Sequence, residues 1–261
     1  MNLEIIHHSA QGEKRPSPLL FVHGKWHGAW CWQEHFLPYF AQKGYECAAL
    51  SLRGHGASEG RERIGWHTIA NYVADVEQAA KTFDTPPVVI GHSMGGFVTQ
   101  KYLEKNNAPA GVLLTALPHY GILPATLIEF GKHPWLILKC MFTWSMFPLV
   151  ASPALAREHL FGADMPEEMV QKYFNRLQEE SFRAYLDEAG LDLAHPKRVK
   201  APVLVIGGTH DTVISVQAVN DTARAYGTQA EFFPMAHDVM LESGWQRVAD
   251  RIIQWLKEKN L

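Results

Sequence analysis

The chain has 261 residues but only three cysteines, Cys31, Cys47 and Cys140, scattered along it. An odd, dispersed set gives neither a disulfide framework nor metal-ligand spacing, and it points to a reducing, cytoplasmic compartment. Charge of one sign is also scarce. A formal net charge of −3 leaves no electrostatic case for nucleic acid as a partner. The N-terminus, Met1-Asn2-Leu3-Glu4-Ile5-Ile6, lacks a basic stretch followed by a long apolar one, so no signal peptide is read there. Long apolar runs are missing too. The strongest, Pro134 to Val150, is bounded by prolines and interrupted by Lys139. It is short of the roughly 20 residues a spanning helix needs, which argues for a buried or interfacial segment and no integral membrane segment. There is no internal repeat and no low-complexity tract. What is present, 47% hydrophobic and 20% charged residues, belongs to a globular chain with a sizeable core.

The apolar runs alternate with helix-compatible stretches. Strands are expected at 3–8, 19–22, 45–50, 88–90, 111–116, 202–206 and 230–233. Helices are expected at 30–43, closed by Gly44, and at 68–83, 94–105, 215–226 and 245–259. Strand–helix alternation of this kind predicts right-handed βαβ units and a mostly parallel sheet flanked by helices. From Leu117 to Val199 the alternation stops and only proline-punctuated helical stretches remain. The expected organisation is therefore a core made of 1–117 and 200–261, with 118–199 as a helical cap inserted between core strands.

Ligands of such sheets lie beyond the carboxyl ends of the strands, so reactive residues are expected there. Val88-Val89-Ile90 runs into Gly91-His92-Ser93-Met94-Gly95-Gly96, a Gly-x-Ser-x-Gly pattern between a strand and a helix. Glycines at 91 and 95 relieve crowding in a turn that lifts Ser93 above the sheet edge. A serine hydroxyl is protonated at neutral pH and needs a base, and the base needs an acid to orient it. His237, after the last strand, is the expected base, and Asp211, after Val203–Ile206, the expected acid. His23, His27 and His55 end at the same sheet edge and are candidates for the pocket wall. The developing oxyanion calls for backbone N–H donors, expected from Met94 and from Lys25 or Trp26 in the loop after Val22. Trp26 and His92 are the candidate substrate-contacting residues. No metal and no cofactor are called for.

In this order, His23-Gly24, Arg53-Gly54-His55-Gly56-Ser58, Gly91 to Gly96, Asp211 and His237 resemble the α/β-hydrolase fold, and the likeness covers nearly the whole chain. His23-Gly24-Lys25-Trp26-His27-Gly28-Ala29-Trp30-Cys31-Trp32 is similar to the loop of the plant methylesterase and hydroxynitrile lyase branch, while the elbow is also common among bacterial carboxylesterases and monoacylglycerol lipases. The resemblance implies a serine hydrolase cleaving carboxylic esters through an acyl-enzyme. Two alternatives stand beside it: a hydroxynitrile-lyase-like or other non-hydrolytic enzyme on the same triad, and a slow-turnover ligand-binding receptor. The lyase branch requires a lysine next to the catalytic histidine, and Ala236 and Asp238 flank His237 here. Lys25 departs from the branch, which has a small or apolar residue there. Its side chain is expected either to face solvent or to meet an acidic part of the substrate. The aromatic and Met residues from Trp135 to Phe147 suggest a small to medium hydrophobic ester as the partner. Monomer and homodimer both stay open.

Overall fold

The computed structural model describes residues 1–261. Seven strands form one sheet: β1 (Ile5–His8), β2 (Leu19–Val22), β3 (Cys47–Leu50), β4 (Val88–His92), β5 (Gly111–Leu114), β6 (Val203–Gly208) and β7 (Ala230–Phe233). Their spatial order is β1-β3-β2-β4-β5-β6-β7. Only the edge pair β1–β3 is antiparallel. β2 through β6 are buried along their whole length, as strands covered on both faces must be. Alternate residues feed opposite layers. Leu19, Phe21, Val88 and Ile90 join one core of 44 buried residues, whereas Leu20, Val22 and Val89 join another of 28.

The core helices are α1 (Trp30–Gln33), α2 (Phe36–Gln42), α3 (Ile69–Ala80) and α4 (Met94–Leu103) on the N-terminal side of the insertion. The expected single helix over 30–43 is thus two. Pro38 explains the break: in a continuous helix its ring would meet the carbonyl of Glu34, where α1 ends. Gly44 closes α2 at φ +91°, as its sequence position suggests. Thr68 starts α3 with a reciprocal cap, its hydroxyl accepting from the Asn71 N–H and the Asn71 side chain accepting from the Thr68 N–H.

Between β5 and β6 there is no strand. The chain forms α5 (Leu123–Lys132), α6 (Pro134–Thr143), α7 (Pro153–Leu160), α8 (Glu167–Phe174) and α9 (Phe182–Leu186). α10 (Val216–Ala225) and α11 (Trp245–Glu258) complete the core.

The sheet order creates an opening. From β2 the chain passes to β3 on one side and β4 on the other, so the direction of winding reverses between β2 and β4. A crevice opens at such a reversal, beyond the strand ends. It is kept narrow by glycine. A Cβ on Gly95 would lie 2.3 Å from the Val22 carbonyl oxygen and 2.4 Å from that of His23. We therefore expect Gly95→Ala to lower the thermal midpoint by ~5 °C or more through forced backbone displacement. Gly131→Ala, at a helical site where a Cβ meets nothing within 4 Å, should raise it by ~1–4 °C. Parallel thermal melts of the two variants check this.

Candidate active site

Ser93 stands between β4 and α4 at φ +51° and ψ −119°. A left-handed serine is strained, and the surrounding backbone holds it there. The flanking glycines show why nothing larger fits: a Cβ on Gly91 would come within 2.3 Å of the Gly95 carbonyl oxygen. The Ser93 side chain is turned to His237, which follows β7. The hydroxyl donates to His237 Nε2 at 2.8 Å, and His237 Nδ1–H donates to Asp211 Oδ2 at 2.8 Å. Asp211 is itself fixed, since its other oxygen accepts the N–H groups of Val213 and Ile214 at 2.8 and 2.9 Å. Three side chains expected from separate strand ends are thus brought into one hydrogen-bonded line.

The electrostatics suit a base. Burial alone would lower the His237 imidazole, but the Asp211 carboxylate against Nδ1 outweighs it and raises the pKa above its ordinary value. By linkage the pair stabilises the fold below the free-imidazole value, and that contribution is lost as pH rises through the higher folded value. His92 behaves oppositely. Buried and beside His237, it is pushed down to about 3 and stays neutral. Its Nε2–H donates to the His237 carbonyl at 3.1 Å, and Thr115 donates to the same oxygen at 2.9 Å. His92 therefore braces the loop of the base from behind and is absent from the cavity wall, unlike Trp26.

The loop after β2 lies against Ser93. A Cβ on Gly24 would stand 2.9 Å from the Ser93 Cβ. The Lys25 and Met94 N–H groups, expected as oxyanion donors, thus belong to segments on either side of the hydroxyl. His27 holds the loop: Nδ1 faces the Lys25 carbonyl at 2.6 Å and Nε2 faces the buried Asp238 at 2.9 Å. Asp238 therefore serves His27 rather than its neighbour His237. Its partner is distant in sequence and was not foreseeable from the local motif. His23 and His55 are also buried behind the loop rather than along the cavity. His23 Nδ1–H donates to the Gly24 carbonyl and Nε2 accepts the Leu52 N–H, while His55 pairs with Glu180 at 3.1 Å.

Lys25 does not face solvent. Its side chain turns inward, and its ammonium bonds Glu188, a residue of the insertion. Both side chains are buried. Burial pushes the Glu188 carboxyl up to about 7 even with the lysine beside it. His92, His237 and Asp238 cluster closely enough to suggest a metal site, but both nitrogens of His237 are committed to Ser93 and Asp211. That donor set does not fit a metal.

A cavity of about 300 Å³ opens on Ser93 and His237. Lys25 and Trp26 line it from the core, and Ile122, Ile137, Met146 and Leu149 from the insertion. Only part of the aromatic and Met stretch from Trp135 to Phe147 lines this cavity. Trp135, Met141 and Phe142 point outward and are exposed. α6 is apolar on both faces, and a pattern apolar all round does not say which face turns inward.

Ser93, His237 and Asp211 thus stand in one hydrogen-bonded line at the strand ends of a mostly parallel α/β sheet. The sequence profile of the alpha/beta hydrolase family matches residues 19–251, and the chain belongs to that family. It is 34% identical over 237 residues to the non-heme chloroperoxidase of Burkholderia pyrrocinia, a match covering 82% of this chain and 81% of that protein. It is 30% identical over 136 residues to methylesterase 10 of Arabidopsis thaliana, covering 48% of each. Among solved structures, a thermophilic esterase from Thermogutta terrifontis superposes with a TM-score of 0.76 at 18% identity, covering 99% of this chain and 94% of that one.

Two outcomes are expected. Glu188→Ala leaves the Lys25 ammonium buried without a counter-charge and should cost ~3–5 kcal/mol in denaturant unfolding, whereas the double variant Lys25→Met/Glu188→Met should lose much less. Asp211→Asn removes the carboxylate that raises His237. The acid limb of kcat/KM, above the ordinary imidazole value in the native chain, should move to lower pH, with kcat down by ~10⁴-fold.

Proposed function

We propose that this chain is a serine hydrolase that cleaves carboxylic esters of small to medium hydrophobic substrates through an acyl-enzyme. The observation that carries the reading is the line Ser93–His237–Asp211, bonded at 2.8 Å in both steps and opening on an apolar cavity. Ser93 Oγ attacks the ester carbonyl carbon while His237 Nε2 takes its proton. The Lys25 and Met94 N–H groups receive the charge that builds on the carbonyl oxygen. His237 returns the proton to the departing alcohol, leaving the acyl group on Ser93. Water then gives its proton to His237 and its oxygen to the acyl carbon, and the acid leaves as Ser93 recovers its hydrogen.

Similarity to a methylesterase supports ester chemistry. The helices between β5 and β6 act as a cap in this reading: they close the cavity, exclude water and set the substrate's size. Three unpaired, buried cysteines support a reducing, cytoplasmic compartment.

Turnover of p-nitrophenyl esters from acetate to dodecanoate measures the reading directly. A maximum at short or medium chains is expected, and Ser93→Ala should lower kcat/KM by ~10⁴-fold or more with the thermal midpoint retained. A fluorophosphonate should label Ser93 in the native chain. Full activity of Ser93→Ala sinks the proposal, as does peroxide-dependent chlorination, the chemistry in the name of the Burkholderia relative, without ester cleavage.

A further inference from the structure

The cavity accounts for only part of the apolar stretch in the insertion. α5 and α6 are consecutive helices that meet at His133. Eleven large apolar side chains stand exposed on the chain, and seven of them lie between Leu123 and Phe142. Trp135 is 80% exposed and Phe142 is 88% exposed. The spacing makes these faces rather than scattered residues. Leu123, Leu127 and Phe130 follow i, i+4, i+7 on α5, and Trp135 and Phe142 are seven apart on α6. Buried Ile137 and Cys140 mark the opposite side of α6. A helix apolar on both faces requires apolar surroundings on both, and the protein supplies them on one only.

The exposed charge of α5 and α6 themselves has one sign, while the exposed Glu158 of α7 is bonded to His133 between them at 2.9 Å. Residues 121–146 contain a single acid, Glu129, and it turns inward to His159 at 2.9 Å. Lys132 and Lys139 are exposed. A second copy of this chain would place those lysines against like charge across a self-complementary contact, with no exposed acid on the hairpin to pair them. An anionic lipid surface offers both things the hairpin lacks, apolar chains for Trp135 and Phe142 and phosphates for the lysines. The face is also continuous with the cavity, because Pro124 and Ile128 of α5 are exposed and line it as well.

We propose that the α5–α6 hairpin docks this protein on anionic phospholipid surfaces, with Trp135 and Phe142 seated among the acyl chains and Lys132 and Lys139 at the headgroups. Docked in this way, the cavity mouth meets the membrane, and an apolar substrate passes from lipid to site along Ile128 and Pro124.

Vesicle flotation tests this. The native chain should float with phosphatidylcholine–phosphatidylglycerol vesicles, less with phosphatidylcholine alone, and should be released by added salt. Trp135→Ser/Phe142→Ser should lower the partition coefficient by ~tenfold or more while the thermal midpoint holds, since both residues are exposed. Lys132→Glu/Lys139→Glu should lower it to a similar extent and remove the salt dependence. Ser93→Ala should float like the native chain, which separates docking from hydrolysis. Absence of the native chain from the vesicle fraction overturns the proposal. So does equal flotation of Trp135→Ser/Phe142→Ser, or a native dimer in light scattering that this variant dissociates.

Discussion

Backbone held against backbone at the end of β2 and β4 is the constraint on which the rest depends. Gly95 leaves room for the carbonyls of Val22 and His23, and Gly24 leaves room for Ser93. One methyl group at either place would separate the loop that carries Lys25 from the turn that carries the hydroxyl. The left-handed Ser93 and the left-handed Trp26, at φ +65°, are held on the two sides of this contact. Strain of this kind costs of order 1–3 kcal/mol per residue, and it survives because the two cores packed on the sheet over-determine the backbone between them.

Around that contact the protein has buried a belt of charge and imidazole. His27, on the loop, faces Asp238 beside His237, while His55 pairs with Glu180 behind the His23 ring. Burial would raise the Glu180 carboxyl, but His55, the Ser181 N–H and Tyr72 outweigh it and keep it at about 2, ionised at any ordinary pH. Buried pairs contribute little net stability against apolar packing of the same volume. They do impose direction, since each donor accepts only one arrangement of its partner. Glu180, Asp187 and Glu188, all in the last part of the insertion, bond His55, the Ile69 N–H and Lys25 of the core. The insertion is thereby fixed to the core at its C-terminal end.

Much of this was legible in the residues. β2 through β6 are built on short apolar runs, and the elbow announces itself by glycine spacing. His237 and Asp211 follow from the rule that chemistry gathers at strand ends. The single helix expected over 30–43 overlooked Pro38, whose ring would strike the Glu34 carbonyl and which separates α1 from α2. Other features were hidden for physical reasons. Glu188 is 163 positions from Lys25, and no local pattern links residues that only tertiary folding brings together. The partner of Asp238 was hidden in the same way. The direction of Trp135 and Phe142 was hidden because helical periodicity reports inward and outward faces only when they differ in polarity.

The unequal attachment of the insertion divides the chain into a part that must be kept and a part that is free to vary. No side chain of α5 or α6 touches the Ser93–His237–Asp211 line by hydrogen bond, and none joins the buried charge belt. Substitutions in α5 and α6 therefore leave the hydrogen bonds of the Ser93–His237–Asp211 line in place. In the proposed reading, such a chain can change what it meets without changing how it reacts, and the last turns of the insertion, bonded to the core through Glu180, Asp187 and Glu188, mark the limit of that freedom.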